Sequence, residues 1–204
     1  MVNAFVIGPQ KSGTTLMITL LDNHPEFSVI PLEVKFYLNN ELLKRSGNHK
    51  VTFDSLNQFF MKKSKISFID PRMRGTLDPM NSGIVDFSNV DFEKFKREMD
   101  DKVAQSKETD CQQPVLPKYI ESVHQAYNQV SHGKSKQGFV LKEGCHGLPF
   151  IDSMQKDFKN SKFIVMVRDP RDAFSSFKSI SKLRREKSQF QSFSGNNLSL
   201  FSFL

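Results

Sequence analysis

The chain has no tryptophan and only two cysteines, Cys111 and Cys145, in 204 residues. Two isolated thiols cannot build a disulfide framework, and no Cys/His cluster has metal-ligand spacing. The expectation is free thiols, no metal and a reducing, cytoplasmic setting. No run of about eighteen apolar residues is present, so no membrane-spanning helix is expected. The first apolar stretch opens at Ala4, within four residues of Met1, so no secretory leader is expected. No internal repeat is visible. An acidic surplus is also missing: 29 Lys and Arg stand against 22 Asp and Glu, a net charge of +7. That balance suits an anionic ligand and does not by itself call for nucleic acid, which is not expected as a partner. Hydrophobic content of 38% and charged content of 25% fit one soluble globular domain over residues 1–204. The compositional excess is phenylalanine, with 20 copies.

What is present is concentrated at the start. Ala4-Phe5-Val6-Ile7 is a short apolar run, Gly8-Pro9-Gln10-Lys11-Ser12-Gly13-Thr14-Thr15 follows, and an amphipathic pattern then opens at Leu16, in a first helix expected over about Thr14–Asp22. A buried strand, a glycine-bearing turn and a helix N-terminus in that order gather backbone N–H groups and partial positive charge at one spot. Lys11 adds a cation, and Ser12, Thr14 and Thr15 add hydroxyls. The pattern predicts a site for a phosphate-like group. A nucleotide-triphosphate loop reads G-x-x-x-x-G-K-[ST]. Gly8 and Gly13 have that separation, but Thr14 stands where the lysine belongs and the cation is moved to Lys11. ATP would lose its main β/γ-phosphate partner in such a loop, whereas a 5′-phosphosulfate would still be held. Here the chain resembles the sulfotransferases that use 3′-phosphoadenosine 5′-phosphosulfate (PAPS): Gln10-Lys11-Ser12-Gly13-Thr14-Thr15 is similar to their 5′-phosphosulfate loop.

A second segment supports the first. Residues 162–167 form an apolar, β-branched run of strand length. Arg168-Asp169-Pro170-Arg171-Asp172 follows, and then a helical pattern through Ala173-Phe174-Ser175-Ser176-Phe177. Asp169 suits an N-cap and Pro170 a first helical position. Arg168 and Ser176 could reach one anion together, the arginine as a planar fork. The pattern resembles the 3′-phosphate-binding segment of the same family, with Arg168 and Ser176 at its contact positions. Read without the resemblance, it is a solvated basic loop after a core strand.

A third segment holds the candidate base. His24-Pro25 and Glu33-Val34-Lys35-Phe36-Tyr37 resemble the corresponding stretch of glycan and tyrosyl-protein sulfotransferases. In that branch a glutamate is the general base on the acceptor hydroxyl, which implies that role for Glu33. Taken alone, Glu33 is a surface carboxylate paired with Lys35. His124, His132 and His146 stay open as other bases. Lys142 ends a strand predicted over Gly138–Lys142. Relatives often carry a lysine at that place, at the edge of the active cleft, but followed by Thr-Pro or Ser-Pro rather than Glu143-Gly144. A solvated lysine is the plainer expectation, with an accessory role as the other.

Between these segments, Phe53–Lys63 reads as a helix, Ser67–Asp86 as a loop, Asp91–Lys107 as a charged helix and Thr109–Pro117 as a linker. Pro117–Val130 reads as a helix with Ile120, Val123 and Tyr127 in its apolar stripe. Gly133–Gln137 reads as a polar turn. After Ser176, Phe177–Lys187 is a basic helix candidate and 188–204 a poorly structured tail. Family members continue further, so the domain is expected to be short at its C-terminus.

The resemblance implies an α/β fold, a P-loop-like parallel β-sheet flanked by helices. It also implies transfer of a sulfuryl group from PAPS to an acceptor hydroxyl on a glycan, tyrosyl peptide or small molecule. Lys11 and Glu33 would be catalytic. Lys11, Ser12, Gly13, Thr14, Thr15, Arg168 and Ser176 would hold the nucleotide. PAPS carries about four negative charges near neutral pH, which calls for anion sites at both of its ends. The other readings are a kinase-like P-loop enzyme and a non-catalytic remnant that binds nucleotides or polyanions.

Overall fold

The computed structural model describes residues 3–22, 24–46, 51–63, 90–109, 114–131 and 136–179. Four parallel strands form one sheet: β1 (Ala4–Ile7), β2 (Phe27–Glu33), β3 (Gly138–Gly144) and β4 (Lys162–Val165), in the order β2-β3-β1-β4. The helices are α1 (Thr14–Leu20), α2 (Phe36–Arg45), α3 (Phe53–Lys63), α4 (Phe92–Thr109), α5 (Val115–Ser131) and α6 (Ile151–Asp157). A 3₁₀ turn spans Cys145–Phe150, and a last helix, α7, is described over residues 170–179. This is the expected parallel α/β architecture.

Alternation along the strands assigns the two faces. Val6 of β1, Val29 of β2 and Val140 of β3 pack with Ile18 of α1 on one side. Phe5, Ile7, Phe139 and Leu141 face the other side, where α2 to α6 build the larger core. A sheet covered on both faces explains why β3 is buried along its whole length. The phenylalanine excess fills the larger core. Phe60 stacks on Tyr119 with ring centroids 5.4 Å apart, and Phe53 meets the same ring edge-on at 5.2 Å. Phe5 packs on Phe139, Phe158 and Phe163.

Several boundaries differ from the sequence reading, each for a local reason. The first helix ends at Leu20 rather than Asp22: Asp22 N–H donates to Thr19 O and His24 N–H to Leu21 O, a tightened turn before Pro25. Thr109 belongs to α4 and α5 starts at Val115, so the linker is shorter than read. Pro117 fits inside α5 because a first-turn residue needs no intrahelical N–H partner. Strand β4 stops at Val165; Met166 N–H still donates to Ile7 O at 2.8 Å, but β1 then turns away at Gly8. Strand β3 runs to Gly144, whose carbonyl accepts the Gly8 N–H at 3.3 Å. The predicted loop at Ser67–Asp86 and the tail at 188–204 lie outside the described residues. No helix among the described residues is long and apolar enough to cross a membrane.

Candidate functional site

All four strands run the same way, so their carboxyl ends lie along one edge of the sheet, where open α/β sheets bind ligands. Each contributes. From β1 comes the loop Gly8–Gly13. Ser12 N–H donates to Pro9 O at 3.2 Å, closing a turn whose third residue, Lys11, is left-handed at φ 64°. Gly13 caps α1 at φ 102° with no side-chain cap, so the first-turn N–H groups of that helix have no side-chain partner. Positive φ at Lys11 and Gly13, on either side of Ser12, is the kind of alternation that turns N–H groups inward in anion-binding nests. Gly8 is required by space as well as by its φ of 156°: a Cβ there would stand 2.5 Å from Met166 O and 2.8 Å from Ser12 Oγ.

Ser12 is buried, and its hydroxyl has no hydrogen-bond partner among the described residues. Buried hydroxyls are rarely left unpaired. The Lys11 side chain makes no ion pair among the described residues. An unpaired hydroxyl, an unpaired cation and a nest together fit an anion of phosphosulfate size.

From β4 comes Arg168, exposed, whose Nη1 donates to Lys11 O at 3.2 Å. The arginine thus lies against the β1 loop although 157 residues separate the two in sequence. Its neighbour Arg171 is committed elsewhere, as a fork on Asp169 with distances of 3.1 and 2.7 Å. That contact holds the Asp169 carboxyl below the usual carboxylate range. Asp169 also accepts the Arg171 N–H at 2.8 Å, which makes it the N-cap of α7, as expected. Ser176 lies two turns along α7, half-buried, with no hydrogen bond among the described residues.

From β3 and β2 come Lys142 and Glu33. Lys142 is not solvated: it is 7% exposed. Its Nζ donates to Thr15 Oγ1 at 2.8 Å and lies 3.4 Å from Glu33 Oε2. Glu33 therefore pairs with Lys142 and not with Lys35, which instead turns the chain at the start of α2 with φ 58°. The β2–β3 ladder explains the meeting. Val29 is level with Val140 and Glu33 with Lys142, so four residues of β2 span two of β3. Pro31, which has no N–H to give, sits in that irregular stretch on an edge strand. The Glu33 carboxyl lies over Gly144, where a Cβ would come within 3.1 Å of it.

Lys142 is the residue that sequence reasoning undervalued. The signal available was its strand-end place two residues after Val140; what was missing was the β2 register that brings Glu33 to it. Among the other candidate bases, His124 is a core residue. It is stacked on Phe139 at 4.6 Å with Nδ1 3.0 Å from Ser28 Oγ, and burial pushes its pKa down to about 3. His146 lies in the 3₁₀ turn after β3, and His132 lies outside the described residues.

Of the residues marked in the sequence, the structure joins Lys11, Ser12, Gly13, Thr14 and Thr15 in one loop and helix start. Arg168 touches that loop, and Glu33 reaches it through Lys142. Ser176 is placed nearby in sequence terms but without a direct contact. A family model described as the sulfotransferase family matches residues 3–201. No curated protein and no solved structure matches the chain.

Proposed function

The chain belongs to the sulfotransferase family, and from that premise we propose that it moves a sulfuryl group from PAPS to an acceptor hydroxyl. The observation that carries this reading is the chain Thr15–Lys142–Glu33. One buried ammonium joins the loop suited to the phosphosulfate to the carboxylate suited to the acceptor.

In this reading the donor supplies an activated sulfur whose bond to the bridging phosphate oxygen breaks as the acceptor oxygen bonds to it, leaving adenosine 3′,5′-bisphosphate. The loop N–H groups, Lys11 and the Ser12 hydroxyl hold the 5′ end, with Thr14 and Thr15 shaping the helix start. Arg168 and Ser176 hold the 3′-phosphate, while Arg171 forks on Asp169. Glu33 takes the acceptor proton, the arrangement of the glycan and tyrosyl-protein branch. Lys142 lies where it can balance Glu33 before transfer and the growing phosphate charge during it. Positioning and charge stabilisation account for most of the catalysis in such group transfers. The kinase-like reading finds no support in the loop, because Thr14 occupies the position of the lysine that would bind β/γ-phosphates.

The test is a transfer assay with labelled PAPS against sugars, phenols, tyrosyl peptides and lipids. Labelled sulfate on one acceptor class, with release of the bisphosphate, is the expected result. Tight bisphosphate binding with no transfer to any acceptor would support a nucleotide-binding remnant instead.

A further inference from the structure

The transfer chemistry above makes no use of Glu143, although it is fully enclosed, 0% exposed. It follows Lys142 on β3 and so faces the opposite side of the sheet. Lys142 reaches toward α1; Glu143 reaches toward the start of α2. Its Oε1 accepts the Phe36 N–H at 2.8 Å, and its Oε2 has no hydrogen-bond partner among the described residues. Gly147 of the 3₁₀ turn closes over it, so tightly that a Cβ there would stand 2.5 Å from Glu143 Cβ.

Phe36 is the first residue of α2, and the N-cap residue Lys35 gives no side-chain cap. A helix start in that state leaves N–H groups unsatisfied. Phe36 is itself 0% exposed, so water does not meet its N–H. Glu143 provides from another strand the acceptor that a serine or aspartate cap would provide locally. Further bonds hold the same corner: Asn39 Nδ2 donates to Val34 O at 2.8 Å, and the Tyr37 hydroxyl donates to Asp157 Oδ2 at 3.1 Å. Glu33 lies only three residues before Phe36, at the end of the irregular part of β2.

Resting on the reading of Glu33 as the base, we propose that Glu143 is a positioning residue: it caps α2 from β3 and so fixes the Glu33–Lys35 turn that presents Glu33 to Lys142 and to the acceptor. The role is that of an acceptor and not of a charge. Burial raises the Glu143 carboxyl and the Glu33 charge adds to this; the Phe36 and Tyr37 N–H groups and Lys35 oppose it, and the group is pushed up to about 8. A carboxyl raised in this way still leaves one oxygen to receive the amide.

Glutamine keeps the acceptor and lacks the charge, so Glu143→Gln should turn over like wild type. Glu143→Ala should lose kcat by about 10- to 100-fold, the scale of a small misplacement of a reacting group. Its affinity for adenosine 3′,5′-bisphosphate should be unchanged, because α1, the helix the β1 loop leads into, packs on the opposite face of the sheet. Should the alanine variant fail to fold, Glu143→Met fills the space without an acceptor. The Phe36 amide, followed by hydrogen exchange without substrate, should be protected in wild type and Glu143→Gln and exposed in the Ala or Met variant. Equal protection in all variants overturns the cap. A glutamine variant as poor as alanine, an alanine variant with normal kcat, or parallel loss of bisphosphate affinity overturns the positioning role. An absence of transfer by wild type with every acceptor would count against the sulfuryl-transfer reading, and the amide measurement would still decide the cap.

Discussion

Lys142 separates what a single residue says in sequence from what it does in the fold. At a strand end, a lysine reads as solvated; here it is buried between a threonine hydroxyl and a carboxylate. Replacing it by methionine keeps the stem and removes the charge. Lys142→Met should lower transfer by about 10²–10³-fold, the usual loss for one charge-stabilising donor. Thermal unfolding should show the fold retained, and turnover near that of wild type would remove the role. Lys11→Ala should lose a similar factor, read in the same assay, because its ammonium has no partner among the described residues other than the proposed anion. Glu33→Gln cannot take a proton and should fall by about 10²–10⁴-fold in kcat while keeping bisphosphate affinity. Were Glu33 only a surface carboxylate, that change would cost little, since exposed pairs contribute about 0–1 kcal/mol. At the other end of the nucleotide, Arg168→Ala should weaken adenosine 3′,5′-bisphosphate more than adenosine 5′-phosphate in titration calorimetry, and equal losses would move the 3′-phosphate elsewhere. The loop residues and Arg168 were legible because a motif carries them locally. Lys142 and Glu143 were not, because their partners come from β2, α1 and α2, more than a hundred residues away.

Among the elements, those with a strong local period were read closely. The apolar stripe Ile120, Val123 and Tyr127 is buried as its spacing requires, and α3 spans the predicted residues. Element ends were less legible, because they depend on partners: β4 stops where β1 turns off, and β3 continues through Glu143 and Gly144 because the Gly8 N–H finds the Gly144 carbonyl. The β2 irregularity at Pro31 had no sequence signature beyond the proline itself, yet it sets the Glu33–Lys142 register. At the same scale, the loop after β1 depends on an absent side chain. Gly8→Ala places a methyl 2.5 Å from Met166 O, a backbone atom that cannot step aside. Overpacking of this kind costs about 1–3 kcal/mol. A lowered Tm together with lost bisphosphate binding is expected; a variant that binds normally would show that the loop tolerates a shift of β4.

For the whole molecule, two enclosed groups set opposite limits on stability with pH. His124 has its pKa lowered from 6.5 to about 3 by burial, so the unfolded chain binds its proton more readily and stability falls as pH drops from 6.5 toward 3. Glu143 is raised from 4.5 to about 8, chiefly by burial, so the folded chain keeps its proton and stability falls as pH rises from 4.5 toward 8. Each contributes a slope of up to about 1.4 kcal/mol per pH unit, and between 4.5 and 6.5 they oppose each other. Chemical denaturation across pH should give maximum stability in that interval, and Glu143→Gln should remove the fall above 6.5 and turn the level stretch between 4.5 and 6.5 into a rise with pH. An unchanged alkaline slope in that variant would mean that other groups set it. The sheet order has a further consequence, for the birth of the protein. The anion loop leaves the ribosome long before either neighbour of β1, because both come from residues 138–165. Until β3 is synthesised the Gly8 N–H has no Gly144 carbonyl to meet, and until β4 follows, Arg168 cannot reach Lys11. The loop is therefore translated well before the partners that give it its working shape, and through that interval its apolar strand is an exposed, unpaired edge.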